Sequence, residues 1–351
     1  AERGFVNLAN ELHRRGHTVV ILTVSEHGVF KDDVLSGVRR HSFDKGKVLA
    51  SLPKLVYHLL NERYDVIYTA MDHVNLTGFI AVRFLQVFGV KIKQVSTVHT
   101  NTSNVLANMS GIKKFFYLKT ISLLYKNVDN LVCVSKGCRD NLAEQLSIHI
   151  ADIDVIYNPV VKPEIIEKML STEHGKKDNG TIHIVSIGRL ESVKNYPTAL
   201  HAISRLVHEN NVKVKYTILG EGSQREFLES EVDKLNIKHV VCFKGFVTNP
   251  LSYLIESDLF VLSSTYEGFG NVLVEATEAK VPIISSKCNT GPLEIINNNT
   301  CFFEPNCSES MYCKLVEFVS TNRGSSFINE KRPEFNFDNV IDKYERYIVS
   351  E

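Results

Sequence analysis

Short β-branched and aliphatic runs alternate along this chain with longer stretches in which apolar residues return every three or four places. That alternation predicts parallel strands joined by crossover helices. In the first half, Thr18–Val24, Asp65–Thr69, Lys91–Val98, Asn130–Val134 and Asp154–Tyr157 read as strands. Leu49–Asn61, Val74–Phe88, Ile112–Tyr125 and Lys136–Leu146 read as the intervening helices. A second series begins at Ile182–Ile187 and continues through Lys213–Leu219, Val240–Lys244, Asp258–Leu262 and Pro282–Ser285. Its helices are Tyr196–His208, Ser223–Leu235, Val272–Ala279 and Ser308–Val319. The run Leu259-Phe260-Val261-Leu262 is continuously apolar, as expected of a parallel strand covered on both faces.

Between the two series lies Asn158-Pro159-Val160-Val161-Lys162-Pro163, followed by a polar loop at His174–Gly180. Proline continues neither a helix nor a central strand, so this joint reads as a domain boundary. The expected architecture is α/β, with two doubly wound Rossmann-like domains facing across a cleft. Residues 1–160 form the first, 161–336 the second, and a last helix, Phe337–Val349 within 337–351, returns to the first. The chain opens on a helical pattern: Phe5, Leu8, Ala9 and Leu12 share one face, and Gly16 suits the C-cap. A doubly wound domain ordinarily opens on a strand, so a strand and loop are expected ahead of Ala1 in a complete first domain.

Composition narrows the function. The chain has 351 residues, 44% hydrophobic and 23% charged, which fits about two folded domains and excludes a disordered tail. No apolar run approaches the ~18 residues of a spanning helix. The 40 basic and 40 acidic side chains balance, against a general nucleic-acid binder. They are unevenly spread: residues 1–160 carry 19 basic and 14 acidic groups, a net of +5, and the remainder a net of −5. Seven cysteines at irregular spacing, with no Cys-x-x-Cys, read as reduced thiols of a cytoplasmic protein rather than a zinc site.

Ligands of doubly wound sheets bind beyond the carboxyl ends of the strands, and two segments stand out there. Glu267-Gly268-Phe269-Gly270-Asn271-Val272-Leu273-Val274-Glu275 follows a buried strand and opens a helix. Gly268 and Gly270 let backbone approach a ligand, and the amides of Asn271 and Val272 form a helix N-terminus suited to a diphosphate. Glu267 and Glu275 are acceptor-only groups suited to sugar or ribose hydroxyls. Gly188-Arg189-Leu190-Glu191-Ser192-Val193-Lys194-Asn195 follows the first strand of the second series. Its Arg189 fork and Lys194 point charge both suit phosphate oxygens, at ~1.5–3 kcal/mol per charged hydrogen bond. In the first domain, His99 closes a strand and starts the hydroxyl-rich loop His99-Thr100-Asn101-Thr102.

These segments, with Leu219-Gly220-Glu221-Gly222 and Lys244-Gly245-Phe246-Val247 between them, resemble the retaining family 4 glycosyltransferases of GT-B fold. The likeness covers essentially the whole second domain. It extends to Leu8-Ala9-Asn10-Glu11-Leu12, Arg15-Gly16-His17 and the Val155–Val160 joint. The resemblance implies that Arg189 and Lys194 hold the donor diphosphate and steady its charge as it leaves. Glu275 would bind the ribose and Glu267 the hexose. The Gly270–Val272 backbone would contact sugar and phosphates, and the Phe246–Val247 backbone the base. Gly188, Gly220 and Gly222 would shape the nucleotide pocket, and His99 would hydrogen-bond the donor sugar without acting as a base. A hexose or N-acetylhexosamine would pass from a nucleotide sugar, most simply a UDP-sugar, to a glycan or lipid-linked saccharide, with retention. No resident cofactor is expected. No Asp-x-Asp closes a strand and no ligand cluster has metal spacing, so no metal is expected either.

The acceptor side is less specific. Gly111–Lys126 is basic and aromatic, and Lys113, Lys114, Phe115, Phe116 and Lys119 suit an anionic bilayer surface. The same segment also reads as an ordinary crossover helix with a core face of Phe115, Leu118 and Ile121. A cytoplasmic enzyme is expected, at the cytoplasmic face of a membrane on the first of these two readings. Competing readings are a non-catalytic sugar-nucleotide-binding subunit and a sugar-nucleotide epimerase or hydrolase. A dinucleotide oxidoreductase fits poorly, since no Gly-x-Gly-x-x-Gly joins a strand to a helix.

Overall fold

The computed structural model describes residues 2–44, 46–107, 109–171, 180–321 and 324–349. The loop read at 174–180 lies outside them as far as residue 179. Two compact units emerge: Ala1–Val160 with Glu334–Glu351, and Val161–Pro333.

In the first unit, β1 (Val20–Thr23) and β2 (Arg39–Ser42) pair in parallel as a two-stranded sheet. A separate four-stranded parallel sheet contains β3 (Val66–Ala70), β4 (Lys93–Val98), β5 (Asn130–Cys133) and β6 (Asp154–Val155), in that order. Strand β2 carries no apolar signal because Arg39, Arg40 and His41 are exposed. Its neighbour Phe43 anchors the layer instead, in a core with Leu55, Leu59, Ala81, Val82, Leu85 and Ile92.

The helix Glu2–Arg14 has the expected apolar face, burying Leu8, Ala9 and Leu12. The last helix, Phe337–Val349, packs in this same unit through Val340, Ile341 and Tyr344. Tyr68 on β3 donates its hydroxyl to the Tyr344 carbonyl at 2.7 Å. Residues 334–336, read from sequence as part of the second domain, also belong here. Phe335 sets its ring 4.7 Å from that of Tyr157, and this aromatic contact moves the boundary.

The second unit is a six-stranded, wholly parallel sheet in the order β12-β11-β10-β7-β8-β9. Its strands are β7 (Ile182–Ile187), β8 (Val214–Leu219), β9 (Val241–Gly245), β10 (Leu259–Leu262), β11 (Ile283–Ser286) and β12 (Phe302–Phe303). All residues of β10 and β11 are buried, the physical counterpart of the unbroken apolar run in β10, and β11 buries Ser285 and Ser286 beside Ile283 and Ile284. Helices Tyr196–Asn210, Arg225–Lys234 and Asn271–Glu278 make crossovers, and Ser308–Ser320 follows the last strand and packs on Tyr196–Asn210. Four short helices were not anticipated: Thr102–Ala107, Pro163–Leu170, Pro250–Glu256 and Gly291–Ile295. Each has eight residues or fewer, too short for a helical period to stand out.

Candidate functional site

Strand order in the second unit reverses at β7, with β8 and β9 on one side and β10, β11 and β12 on the other. Such a reversal opens a crevice beyond the carboxyl ends of the two strands flanking it, here β7 and β10. The chain leaves β7 through Gly188 and Arg189 to a tight turn, Ser192–Lys194. It leaves β10 through Ser263 to Gly270, where the helix Asn271–Glu278 begins.

Backbone bonds tie these exits together. The Thr265 amide donates to the Val193 carbonyl at 2.9 Å, Gly188 to Leu219 at 2.9 Å, Leu190 to Glu221 at 2.9 Å and Gly220 to Gly245 at 2.8 Å. The loops after β7, β8 and β10 and the end of β9 are thus one rim. The rim has no room for a side chain at Gly220: a Cβ there would overlap the Gly188 carbonyl oxygen. Glu191 clasps the next turn by accepting from the Ser223 hydroxyl at 2.9 Å and its amide at 3.2 Å. Those bonds hold its carboxyl below the usual carboxylate range.

Inside the rim, Lys194 Nζ donates to Glu267 Oε1 at 2.5 Å, and Ser264 Oγ donates to the same oxygen at 2.6 Å. The Lys194 and Glu267 side chains keep only 19% and 11% of their surface open, so this ionic pair is shielded from bulk water. Arg189, on the same loop, is exposed. Glu275 is buried in the first turns of the helix that starts after Gly270, and Gly268 lies between the two carboxylates. Neither glutamate is the solvated side chain that a bland loop would carry. The thiol of buried Cys288 is pushed up to about 11, first by burial and then by the charge of Glu267. Beyond β9, Phe246 is exposed and Val247 is half-buried. Cations from one loop, and carboxylates with helix amides from the next, can bind a diphosphate beside a hydroxyl-bearing group.

Sequence reasoning overlooked the supports of Glu267. Thr290 Oγ1 donates to the Glu267 carbonyl, and Ser286 Oγ donates to the Ser264 carbonyl. Gly291 lies so close to Phe269 that a Cβ would overlap its carbonyl oxygen. The signal was the strand–loop–helix passage β11 to Thr290-Gly291-Pro292, the same kind that marks Gly188.

In the first unit, His99 follows β4 and its ring lies 6.0 Å from that of Phe5. Thr97 Oγ1 gives its single proton to the Thr69 carbonyl at 2.8 Å, so at 3.0 Å from His99 Nε2 it must accept. His99 therefore carries its proton on Nε2 and keeps Nδ1 as an acceptor. Although part of the residue's surface is open, its ring is packed, and burial lowers its pKa to about 3.

The helix Gly111–Asn127 departs from the crossover-helix reading with its core face of Phe115, Leu118 and Ile121. Its buried face is Ile121, Leu124 and Tyr125, while Phe115, expected in the core, is 56% exposed and Leu118 is half-buried. Asp72 fixes the helix instead, accepting from the hydroxyls of Tyr117 and Tyr125. Ile112, Phe116 and Leu123 are exposed beside Lys113, Lys114 and Lys119, and Lys119 lies 5.1 Å above the Phe115 ring. Among the described residues, no helix is long and apolar enough to cross a membrane.

Comparison with known proteins covers both units. The family model "Glycosyltransferase Family 4" matches residues 1–161, and "Glycosyl transferases group 1" matches 167–334. Over 231 residues the chain is 29% identical to the N-acetylgalactosamine-N,N'-diacetylbacillosaminyl-diphospho-undecaprenol 4-alpha-N-acetylgalactosaminyltransferase of Campylobacter jejuni. That alignment spans 66% of this chain and 60% of the relative, so the chain covers under two thirds of the relative's length. It is 26% identical over 324 residues to a glycogen synthase of Mycobacterium tuberculosis, spanning 84% of this chain and 76% of that one. Among solved structures, Anabaena HepE in complex with UDP superposes with a TM-score of 0.77 at 17% identity, covering 100% of this chain and 96% of HepE.

Proposed function

The chain belongs to the group 1, family 4 glycosyltransferases and has their GT-B fold of two Rossmann-like units. From that premise we propose that it transfers a hexose or N-acetylhexosamine from a UDP-sugar to a glycan or lipid-linked saccharide, with retention at the anomeric carbon. The observation that carries this reading is the Lys194–Glu267 pair at the β7/β10 reversal, a cation and an acceptor side by side in a shielded rim.

In this reading Arg189 and Lys194 bind the diphosphate and stabilise its charge as the bond from the anomeric carbon to the phosphate oxygen breaks. The amides of Gly270, Asn271 and Val272 assist from the helix end. Glu267 receives hydroxyls of the hexose, Glu275 those of the ribose, and the Phe246–Val247 backbone the base. Gly188, Gly220 and Gly222 keep the rim narrow enough for backbone to reach the nucleotide. The acceptor oxygen bonds to the anomeric carbon on the face the phosphate leaves, and its proton passes to the departing phosphate oxygen. No resident cofactor is required, since the charged side chains and helix amides supply the electrostatic stabilisation. His99 serves as a neutral hydrogen-bonding imidazole. UDP is favoured because the structurally similar HepE binds it, and a lipid-linked acceptor because the Campylobacter relative acts on an undecaprenol diphosphate saccharide.

For the helix Gly111–Asn127 we propose contact with the cytoplasmic, anionic face of a bilayer. Three exposed apolar side chains beside Phe115, interleaved with lysines and free of any acidic residue, suit that surface. The donor-site reading is tested by UDP calorimetry and by UDP release from UDP-hexoses with a lipid-linked saccharide. Arg189→Ala or Glu275→Ala should lower turnover by about 100-fold or more with the fold intact. Near-normal turnover in either variant would overturn it, and UDP binding without turnover in the unaltered protein would favour a binding subunit.

A further inference from the structure

Resting on the donor-site reading above, we propose that Ser264 is a positioning residue that divides the two oxygens of Glu267 into an anchored one and a substrate-facing one. Oε1 receives two donors, the Lys194 ammonium at 2.5 Å and the Ser264 hydroxyl at 2.6 Å. Among the described residues Oε2 accepts no hydrogen bond, and it keeps access to solvent. A carboxylate has about four acceptor positions, so Oε2 retains the capacity to take sugar hydroxyls.

The two donors on Oε1 differ in what happens to them when substrate arrives. Lys194 is shared with the diphosphate, so its hold on Glu267 changes as the donor binds and as the phosphate leaves. Ser264 is fully buried, carries no charge for the phosphates to draw away, and is itself held because its carbonyl accepts from Ser286 Oγ. Thr290 Oγ1 fixes the Glu267 backbone in turn. Ser264 is thus the contact that keeps Oε1 turned inward while Lys194 turns to the phosphates. Without it the carboxylate follows the ammonium, and Oε2 loses its aim at the sugar.

This places the effect of Ser264 on the glycosyl group and not on the nucleotide. Ser264→Ala should bind UDP within about twofold of the unaltered protein while turnover of UDP-sugars falls ~10- to 100-fold, the value of a hydrogen bond to a charged group. Ser264→Thr, which keeps the hydroxyl, should recover part of the loss. Because Ser264 acts through Glu267, Ser264→Ala added to Glu267→Gln should cost little more than Glu267→Gln alone, whereas a merely structural residue would add its full effect. The experiment is calorimetry with UDP, then UDP release from UDP-glucose, UDP-GlcNAc and UDP-GalNAc, for the full chain and the four variants, with thermal unfolding as the check on folding. Full turnover in Ser264→Ala, an equal loss of UDP binding, or additive losses in the double variant would each overturn the role of Ser264 alone. An unaltered chain that binds no UDP would instead remove the donor-site reading itself.

Discussion

His99 is the residue whose chemistry changes most between its sequence and its setting. In sequence it is one of thirteen histidines, set apart only by ending a strand. In the fold, Thr97 selects its tautomer, and burial lowers its pKa to about 3. At neutral pH such an imidazole is a hydrogen-bonding group, too weak a base to take a proton from a sugar hydroxyl. It also predicts a pH dependence of stability. An unfolded His takes up its proton near 6.5, and the folded one only near 3, so between those values the unfolded state holds more protons. Stability is full above about pH 6.5 and declines toward pH 3, at up to ~1.4 kcal/mol per pH unit. His99→Gln should flatten this decline in urea unfolding of the first unit at pH 7 and pH 5. Identical pH sensitivity of the two proteins would refute the assignment.

The decisive structures of the next size up are loops and one helix. The Ser263–Gly270 loop owes its shape to neighbours from the loop after β11, through Thr290 and through the close approach at Gly291. Its candidate glutamate, Glu267, was readable in the sequence, and its bracing was not, since the bracing residues lie more than twenty positions away. The helix Gly111–Asn127 is the reverse case. Its aromatic and basic residues were plain in the sequence, but they fitted a bilayer-surface helix and an ordinary crossover helix equally well. The Asp72 clamp on Tyr117 and Tyr125 sets which face is buried and leaves Phe115 and Phe116 outward. Charge reversal at Lys113 and Lys114 to Glu should weaken binding to vesicles containing phosphatidylserine by about 30-fold or more, at ~1 kcal/mol for each of the two lysine charges removed, as read by co-flotation. Unchanged flotation, or none by the unaltered protein, would rule out this surface as the contact.

Across the whole molecule, each unit closes over its own core, and the first recruits the far end of the chain to do so. Arg15 Nη1 meets Asp342 at 2.6 Å and Glu345 at 2.7 Å, and His17 Nε2 meets Glu345 at 2.6 Å. The bonds from His17 and Arg15 hold the Glu345 carboxyl below its usual range. That contribution is present above the ordinary glutamate value and is lost as pH falls through the lowered one. These groups are partly exposed, so the tie is worth ~1 kcal/mol or less and weakens with salt. Arg15→Ala should therefore speed amide exchange in the helix Phe337–Val349 by at most about fivefold at low salt, and by less at 1 M salt. A salt-independent change, or no change at low salt, would place the docking energy in Val340, Ile341 and Tyr344 alone.

Local periodicity and strand-end motifs were enough to predict strands β7 to β11 of the second unit, though not the two-residue β12, along with the joint near Pro159 and the loops bearing Arg189, Lys194, Glu267 and Glu275. They sufficed because a strand covered on both faces must be continuously apolar, and because a ligand site beyond its carboxyl end needs glycines and charges at short spacing. Which oxygen of Glu267 is anchored, which nitrogen of His99 holds its proton, and which face of Gly111–Asn127 is buried were decided only by tertiary contacts. Each depends on groups brought within hydrogen-bonding or packing distance from other elements, and that proximity exists only after the strands have found their order in the sheet.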